Sequence, residues 1–451
     1  MSGLYELVFR SVLFPAYESV LMRRKTLAHL RTYERSQWLS AEQIDALQWQ
    51  KLQRLLEHCW QQVPYYRNQW QAIGITHPRD IRTRADYAAL PVLTKQQIRA
   101  NFDDFIAPAY RDRLLYKTTG GSTGEPLRFG YTRESYERRV AVMHRGYGWS
   151  GARLGQRTVY LWGMPQAQTG KDRLYHMAFN RRMLNAFDMR EENMGPYADA
   201  FARFRPRTVV GYVAPLVHLA EWLLARGRQL PRPDRILAAA EALHAPQRAL
   251  IERAFGCPVY NTYGCREFML LAAQCTHGGL HTTADHLVVE FGAAVDGSDN
   301  GPRDVLVTDL HNLGMPLLRY ANGDLARGGQ GSCPCGRGLP TLDSVDGRRL
   351  DALRTADGRF VPGEFVVYAF LGAKGVSRYQ AVQRAIDRVE VRIVREDGYD
   401  AGSVEQVRQQ LQQALGPGTD LVFDFRDEIP LTATGKHRVT ISELDHADDI
   451  A

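Results

Sequence analysis

Residues Lys117-Thr118-Thr119-Gly120-Gly121-Ser122-Thr123-Gly124-Glu125-Pro126 bring three glycines and four hydroxyl side chains into positions 118–124. Glycine adopts positive φ without strain and lets a backbone approach a ligand closely. Successive N–H groups in such a loop form a concavity for anions. The hydroxyls of Thr118, Thr119, Ser122 and Thr123 add donors for phosphate oxygens. The pattern is not G-x-x-x-x-G-K-[ST], because no Lys-Ser/Thr pair closes it, so a P-loop ATPase or kinase is disfavoured. A plain glycine-rich turn is the competing reading, and the density of hydroxyls weighs against it.

A second constellation is Cys275-x5-His281 with Cys333-x-Cys335, three thiols and one imidazole. That donor set suits tetrahedral zinc. Neither spacing is the usual Cys-x-x-Cys, so free thiols stand as the alternative. His277 is an alternative to His281, and Cys265 ranks behind the four as a ligand. No His/Asp pattern marks Cys265 as a nucleophile.

These groups need elements to position them. Val159–Trp162, Val209–Tyr212 and Arg235–Ala239 are short apolar runs that predict buried strands, with helices expected over 195–205 and 215–228. The alternation predicts an α/β fold built on a sheet. Residues 16–72 predict helix, with Ile44, Leu47, Leu52, Leu55 and Leu56 near helical spacing. Strands are expected at 287–291 and 304–308. After Gly347 the texture changes: a strand over 389–394, an amphipathic helix over 404–415 and a strand over 421–425 predict a small α+β unit. The expected division is therefore 1–346, with mixed sheets and helices, and 347–451, a small α+β domain.

Composition excludes several classes. The chain has 451 residues, 44% hydrophobic and 24% charged, as an ordinary globular protein does. The net charge of +7 suits anionic small ligands but is too diffuse to argue for nucleic acid. Six cysteines are too few for a disulfide scaffold. No run is long and apolar enough to span a bilayer. Leu4 to Met22 is fairly apolar but broken by Glu6, Arg10 and Glu18, and lacks the features of a signal peptide. A cytoplasmic protein is expected, with this segment packed on its own domain rather than resting on a membrane.

The loop at 118–124 resembles the signature loop of the adenylate-forming superfamily of acyl-CoA ligases, luciferases and peptide-synthetase adenylation domains. Tyr263-Gly264-Cys265-Arg266-Glu267 resembles that superfamily's Tyr-Gly-x-x-Glu motif, and Arg319-Tyr320-Ala321-Asn322-Gly323-Asp324 its Arg-Tyr-x-x-Gly-Asp motif. Gly347-Arg348 resembles the start of its hinge. Pro430-Leu431-Thr432-Ala433-Thr434-Gly435-Lys436 resembles its C-terminal lysine motif. Within the superfamily the chain is similar to phenylacetate–CoA ligases and CapK-type proteins, on Pro64-Tyr65-Tyr66-Arg67, Gly211-Tyr212 and Cys333-Pro334-Cys335-Gly336-Arg337-Gly338.

The resemblance implies AMP-forming activation of a carboxylic acid by ATP, then transfer to CoA. It implies that 118–124 hold the leaving phosphates, with Thr119 among the catalytic groups. Tyr263 would lie against adenine, Glu267 would bind Mg²⁺, and Asp324 and Arg348 would meet the ribose, Arg348 with the α-phosphate as its other candidate partner. Lys436 would bridge the α-phosphate and the substrate carboxylate. It also implies a structural zinc at the Cys/His set, and a homodimer. Two stretches depart from the ligase pattern. Gly347-Arg348-Arg349-Leu350-Asp351 lacks the two adjacent acids of the hinge, and Asp357-Gly358-Arg359-Phe360-Val361 differs from the loop that approaches the CoA thiol. The acceptor is therefore CoA, an amine or a carrier-protein thiol. A catalytically silent nucleotide-binding scaffold is the reading of another class, and Lys436, Glu267 and Asp324 argue against it. The aromatic content near 135–150, 211–215 and 239–243 suggests an aryl acid, with Tyr136, Tyr147, Trp149, Tyr212 and Ala240 as lining.

Overall fold

The computed structural model describes residues 2–119, 127–163, 169–186, 189, 191–295, 298–299, 301–329, 331–348, 353–356, 360–361, 363–370, 373–430 and 437–444. Among them, eleven strands form one mixed sheet. From one edge, Arg181–Asn185, Thr158–Trp162, Thr208–Tyr212, Arg235–Ala239 and Val259–Tyr263 run parallel. Beyond Val259–Tyr263 the pairing turns antiparallel, through Ala272–Gln274, Leu280–Thr282, Thr341–Arg348, Tyr320–Gly328, Arg303–Asp309 and Leu287–Ala294.

The parallel half follows from its sequence. Helices cover both faces of a parallel sheet, so its strands read as continuous apolar runs. Thr208–Tyr212 is buried at every position. Helices Glu191–Phe204 and Val213–Ala225 alternate with these strands, within four residues of the expected bounds. Their residues Met194, Phe201, Leu216 and Leu223 join Val159, Leu161, Val209 and Ile236 in one core.

The helical N-terminal region is broken rather than continuous. Helices Thr26–Ser36, Ala41–Gln62 and Pro64–Ala72 are separated where Ser40 caps the second through a reciprocal box with Gln43 and Pro64 opens the third. Leu52, Leu55, Leu56, Tyr66 and Trp70 pack there with Val305, Val307 and Tyr320 of the antiparallel half.

Beyond residue 353 a four-stranded mixed sheet has the order Asp420–Arg426, Arg388–Arg395, Val376–Ala385, Thr440–Ser442. Helix Ala401–Leu415 sets Val404, Val407, Leu411 and Leu415 against Val389, Val391 and Ile393 in a core of their own. Strand Val376–Ala385 had no expectation from the sequence. Its polar Ser377, Arg378, Gln380 and Gln383 mask the apolar alternation.

Candidate active site

Strand Val259–Tyr263 is the last parallel strand, and Tyr263 stands at its carboxyl end where the sheet switches direction. Ligands of open α/β sheets bind at such an end. A tight loop follows. A Cβ on Gly264 would sit 1.9 Å from the Met269 carbonyl oxygen, so only glycine fits, and Met269 itself takes φ 70°. This turn brings Glu267 beneath the antiparallel strand Tyr320–Gly328.

On that strand Tyr320, Asn322 and Asp324 are buried and alternate with more open neighbours. The Tyr263 phenol donates to Asp324 Oδ2 at 2.9 Å. Asn322 Nδ2 donates to the same oxygen and to the phenol oxygen, each at 2.8 Å. Asn322 Oδ1 in turn accepts the Asp324 N–H at 3.0 Å, so Asp324 is held at both its carboxylate and its backbone. Burial, with the Asp324 charge beside it, holds the Tyr263 phenol well above its usual range. The phenol is therefore a proton donor at neutral pH. Tyr320 donates to Glu267 Oε1 at 3.0 Å, and Glu267 is only 5% exposed.

Arg266 connects this cluster to the glycine-rich loop, its Nη1 donating to the Thr118 carbonyl at 2.9 Å. The loop springs from a hairpin of Leu115–Thr118 and Arg128–Tyr131. Thr119 closes its base: its N–H donates to the Leu127 carbonyl and its Oγ1 accepts the Leu127 N–H, both at 2.9 Å. Gly120, Gly121, Ser122, Thr123 and Gly124 lie outside the described residues. Burial, with Arg139 and Arg266 nearby, lowers the pKa of Lys117, which faces the rings of Tyr131 and Tyr136.

Arg348 ends strand Thr341–Arg348, and its backbone pairs opposite Asp324. Residues 349–351, 357–359 and 431–436, Lys436 included, lie outside the described residues. The flanks of 431–436 are anchored on strand Val376–Ala385. Arg378 donates to the Ile429 carbonyl at 3.4 Å, Gln380 to the Arg438 carbonyl at 2.9 Å, and His437 Nε2 meets the Tyr379 carbonyl at 2.9 Å.

The expected lining of the acid pocket needs correction. Tyr212 packs on Trp162 with ring centroids 4.4 Å apart, at the carboxyl ends of two parallel strands, and Ala240 follows the third with φ 70°. Trp149 instead donates to Gln37 at 2.6 Å and meets His281 edge-on. Tyr147 lies with Thr158 and Thr208, at the opposite end of the same strands. Helix Arg133–Trp149 is long enough to carry these aromatics away from the site.

Cys275, His281, Cys333 and Cys335 form one cluster, their ligand atoms all within 4.8 Å of one another. Cys275 Sγ lies 3.6 Å from Cys333 Sγ, and Cys335 Sγ lies 3.1 Å from His281 Nε2. His281 Nδ1 faces the Leu339 carbonyl at 3.0 Å, a contact that puts the ring proton on Nδ1 and the Nε2 lone pair toward the thiols. His277 and Cys265 stand apart from the four. His277 offers its backbone N–H to Cys275 Sγ at 3.4 Å, while burial pushes the Cys265 thiol well up, away from nucleophilic thiolate chemistry. The cluster ties the 275–281 hairpin to loop 333–338, and Gly338 sits so close to Leu39 that a Cβ would lie 2.1 Å from its carbonyl oxygen.

Sheet order, the switch in strand direction and the small C-terminal unit recur together in a solved structure. A solved 2-hydroxyisobutyryl-CoA ligase, in its postadenylation state with R3-HIB-AMP, has the same fold: TM-score 0.72, 19% identity, 91% of this chain and 92% of that one. Residues 353–443 match the CapK C-terminal domain. The homologues are CapK and phenylacetate–CoA ligases. Protein CapK of Staphylococcus aureus is 27% identical over 80% of this chain and 81% of its own length. The phenylacetate-coenzyme A ligase of Escherichia coli (strain K12) is 28% identical over 70% and 73%. The resemblance read from the motifs thus stands.

Proposed function

We propose that this chain activates a carboxylic acid with ATP, releasing pyrophosphate, and then transfers the acyl group from acyl-AMP to the thiol of CoA. The observation that carries the reading is one cluster at the switch of the sheet. It joins the base of the glycine-rich loop, through Arg266, to Tyr263, Asp324 and Glu267. In the first step a substrate carboxylate oxygen attacks the α-phosphorus and pyrophosphate leaves. In the second the CoA sulfur attacks the acyl carbon, losing its proton, and AMP leaves.

Charge gathers on phosphate oxygens throughout, so the protein's task is positioning and electrostatic stabilisation. The loop 118–124 holds the β- and γ-phosphates. Tyr263 lies against adenine. Asp324, held by Asn322, accepts from the ribose hydroxyls, with Arg348 next to it. Glu267 is a hard oxygen ligand oriented by Tyr320 and suits Mg²⁺, which when bound neutralises phosphate charge. Lys436 bridges the α-phosphate and the carboxylate. We place the boundary of a mobile lid near residue 347 and assign it rotation between the two half-reactions. An aryl acid fits the Trp162–Tyr212 pair at the strand ends.

The Cys/His cluster fits a structural Zn²⁺: four donors, a tetrahedral composition and a second-shell carbonyl on His281. Zinc there would staple the 275–281 hairpin to loop 333–338 rather than take part in the reaction. Cytoplasmic location follows from the use of ATP and CoA. The departures at 347–351 and 357–361 support a second reading of the acceptor, an amine or a carrier-protein thiol. Product analysis with acid, ATP and each acceptor in turn decides: an acyl-CoA thioester supports the first reading, an amide or acylated carrier the second.

A further inference from the structure

The N-terminal helix Ser2–Val8 continues as wider π-helical turns over Phe9–Leu13 and Ala16–Leu21. The wider turn, with i→i+5 bonding, puts Tyr5, Phe9, Phe14 and Glu18 on one inward face. Phe9 and Phe14 meet Phe179 edge-on at 5.0 and 6.0 Å. The outward face is apolar. Leu4, Leu7, Val12, Val20 and Leu21 are 69, 52, 57, 74 and 71% exposed. Beside it, helix Gly170–Ala178 turns Leu174 and Met177 outward, and the ring contact between Tyr17 and Tyr175 holds the two helices together.

Charge is sorted on the same segment. Its acids point inward and are paired: Glu6 with Arg207 and Glu18 with Arg24, each at 3.3 Å. Among the described residues from 3 to 25, the exposed charges are Arg10, Arg23 and Lys25, all cations. On the neighbouring helix Lys171 and Arg173 are exposed, with the exposed acid Asp172 between them bonded to Thr169 at the helix start. A groove of about 470 Å³ between the N-terminal helix and helix Thr26–Ser36 is lined by apolar Pro15, Val20 and Leu27 and by basic Arg24, Lys25 and Arg31.

We propose that this face rests on an anionic lipid bilayer, with the apolar side chains in the interface and the cations at the level of the lipid phosphates. A helix with a buried apolar stripe and flanking Lys and Arg binds membranes in this way. A second copy of the chain fits less well, because a self-complementary two-fold contact would set cations against cations.

Flotation of the full chain with vesicles tests this. Phosphatidylcholine vesicles containing phosphatidylglycerol should carry the protein upward, pure phosphatidylcholine far less, and high salt should weaken binding several-fold. Leu7→Glu with Val12→Glu and Val20→Glu should weaken vesicle binding at least tenfold with an unchanged melting temperature, since all three side chains are more than half exposed. Arg10→Glu with Arg23→Glu should abolish the preference for anionic lipid. Wild-type protein that stays below both vesicle types overturns the proposal. So does a dimer by light scattering that the triple variant splits while vesicle binding is absent, since the face would then join two copies.

Discussion

The phenol of Tyr263 donates to the carboxylate of Asp324 at 2.9 Å, although three strands separate their strands in the sheet order. The antiparallel half must therefore curl back on the parallel half. On the proposed function, adenosine would be gripped beside this pair.

Tyr263→Phe removes the donor to Asp324 and leaves Asn322 with one acceptor fewer. A buried hydrogen bond to a charged group contributes on the order of 2 kcal/mol. The Michaelis constant for ATP should rise up to roughly thirtyfold, with a smaller change in kcat. Steady-state kinetics with varied ATP checks this, and an unchanged constant would separate Tyr263 from nucleotide binding.

Glu267→Gln keeps the bond from Tyr320 and removes the negative charge. Turnover should fall at least tenfold, on the order of 1.4 kcal/mol or more in the barrier, and the Mg²⁺ concentration for half-maximal rate should rise. A variant with wild-type Mg²⁺ dependence would contradict the assignment.

Much of this site was legible in the residues, and the gaps have physical causes. The Tyr263 and Asp324 motifs each stand in contiguous residues, and the structure joins them by a hydrogen bond. Tyr320 and Asn322 were missed as partners, although positions 320, 322 and 324 share one face of a strand, and that period of two was the available signal. The Cys/His set, His281 included, was readable by residue type, and the structure adds the contact of His281 Nδ1 with the Leu339 carbonyl. Trp149 and Tyr147 were misplaced because helix direction, not composition, decides where an aromatic points. The breaks at Ser40 and Pro64 were present as cap and helix-start signals but were overrun by the apolar spacing.

Purified, unchelated protein should carry about one zinc per chain. Cys335→Ser should lose it and lower the melting temperature, while nucleotide binding survives in the fraction that folds. Elemental analysis without zinc in fresh wild-type protein would count against the site.

Burial, with Arg181 beside it, pushes His144 down to about 3, and burial lowers His437 to about 4. Both fold as neutral imidazoles, while the unfolded chain protonates them near 6.5. Between those values the unfolded state binds more protons, so stability falls as pH drops from about 6.5 toward 4. His144 also meets Phe14 edge-on at 5.7 Å, so the loss should include the N-terminal helix. Urea melts at pH 7.5 and 4.5 should show His144→Leu losing less stability on acidification than wild type; equal losses would exclude His144 from the effect.

The central claim is adenylation, and the most direct measurement is pyrophosphate release from ATP and Mg²⁺ over a panel of aryl, fatty and amino acids, in wild type and Lys436→Ala. Acid-dependent release by wild type, lost by at least two orders of magnitude in the variant (about 2.7 kcal/mol) while ATP still binds, is the predicted result. Release at the wild-type rate from Lys436→Ala would remove that lysine from the reaction. No release from wild type with any acid, despite tight ATP binding, would contradict adenylation and favour a nucleotide-binding scaffold.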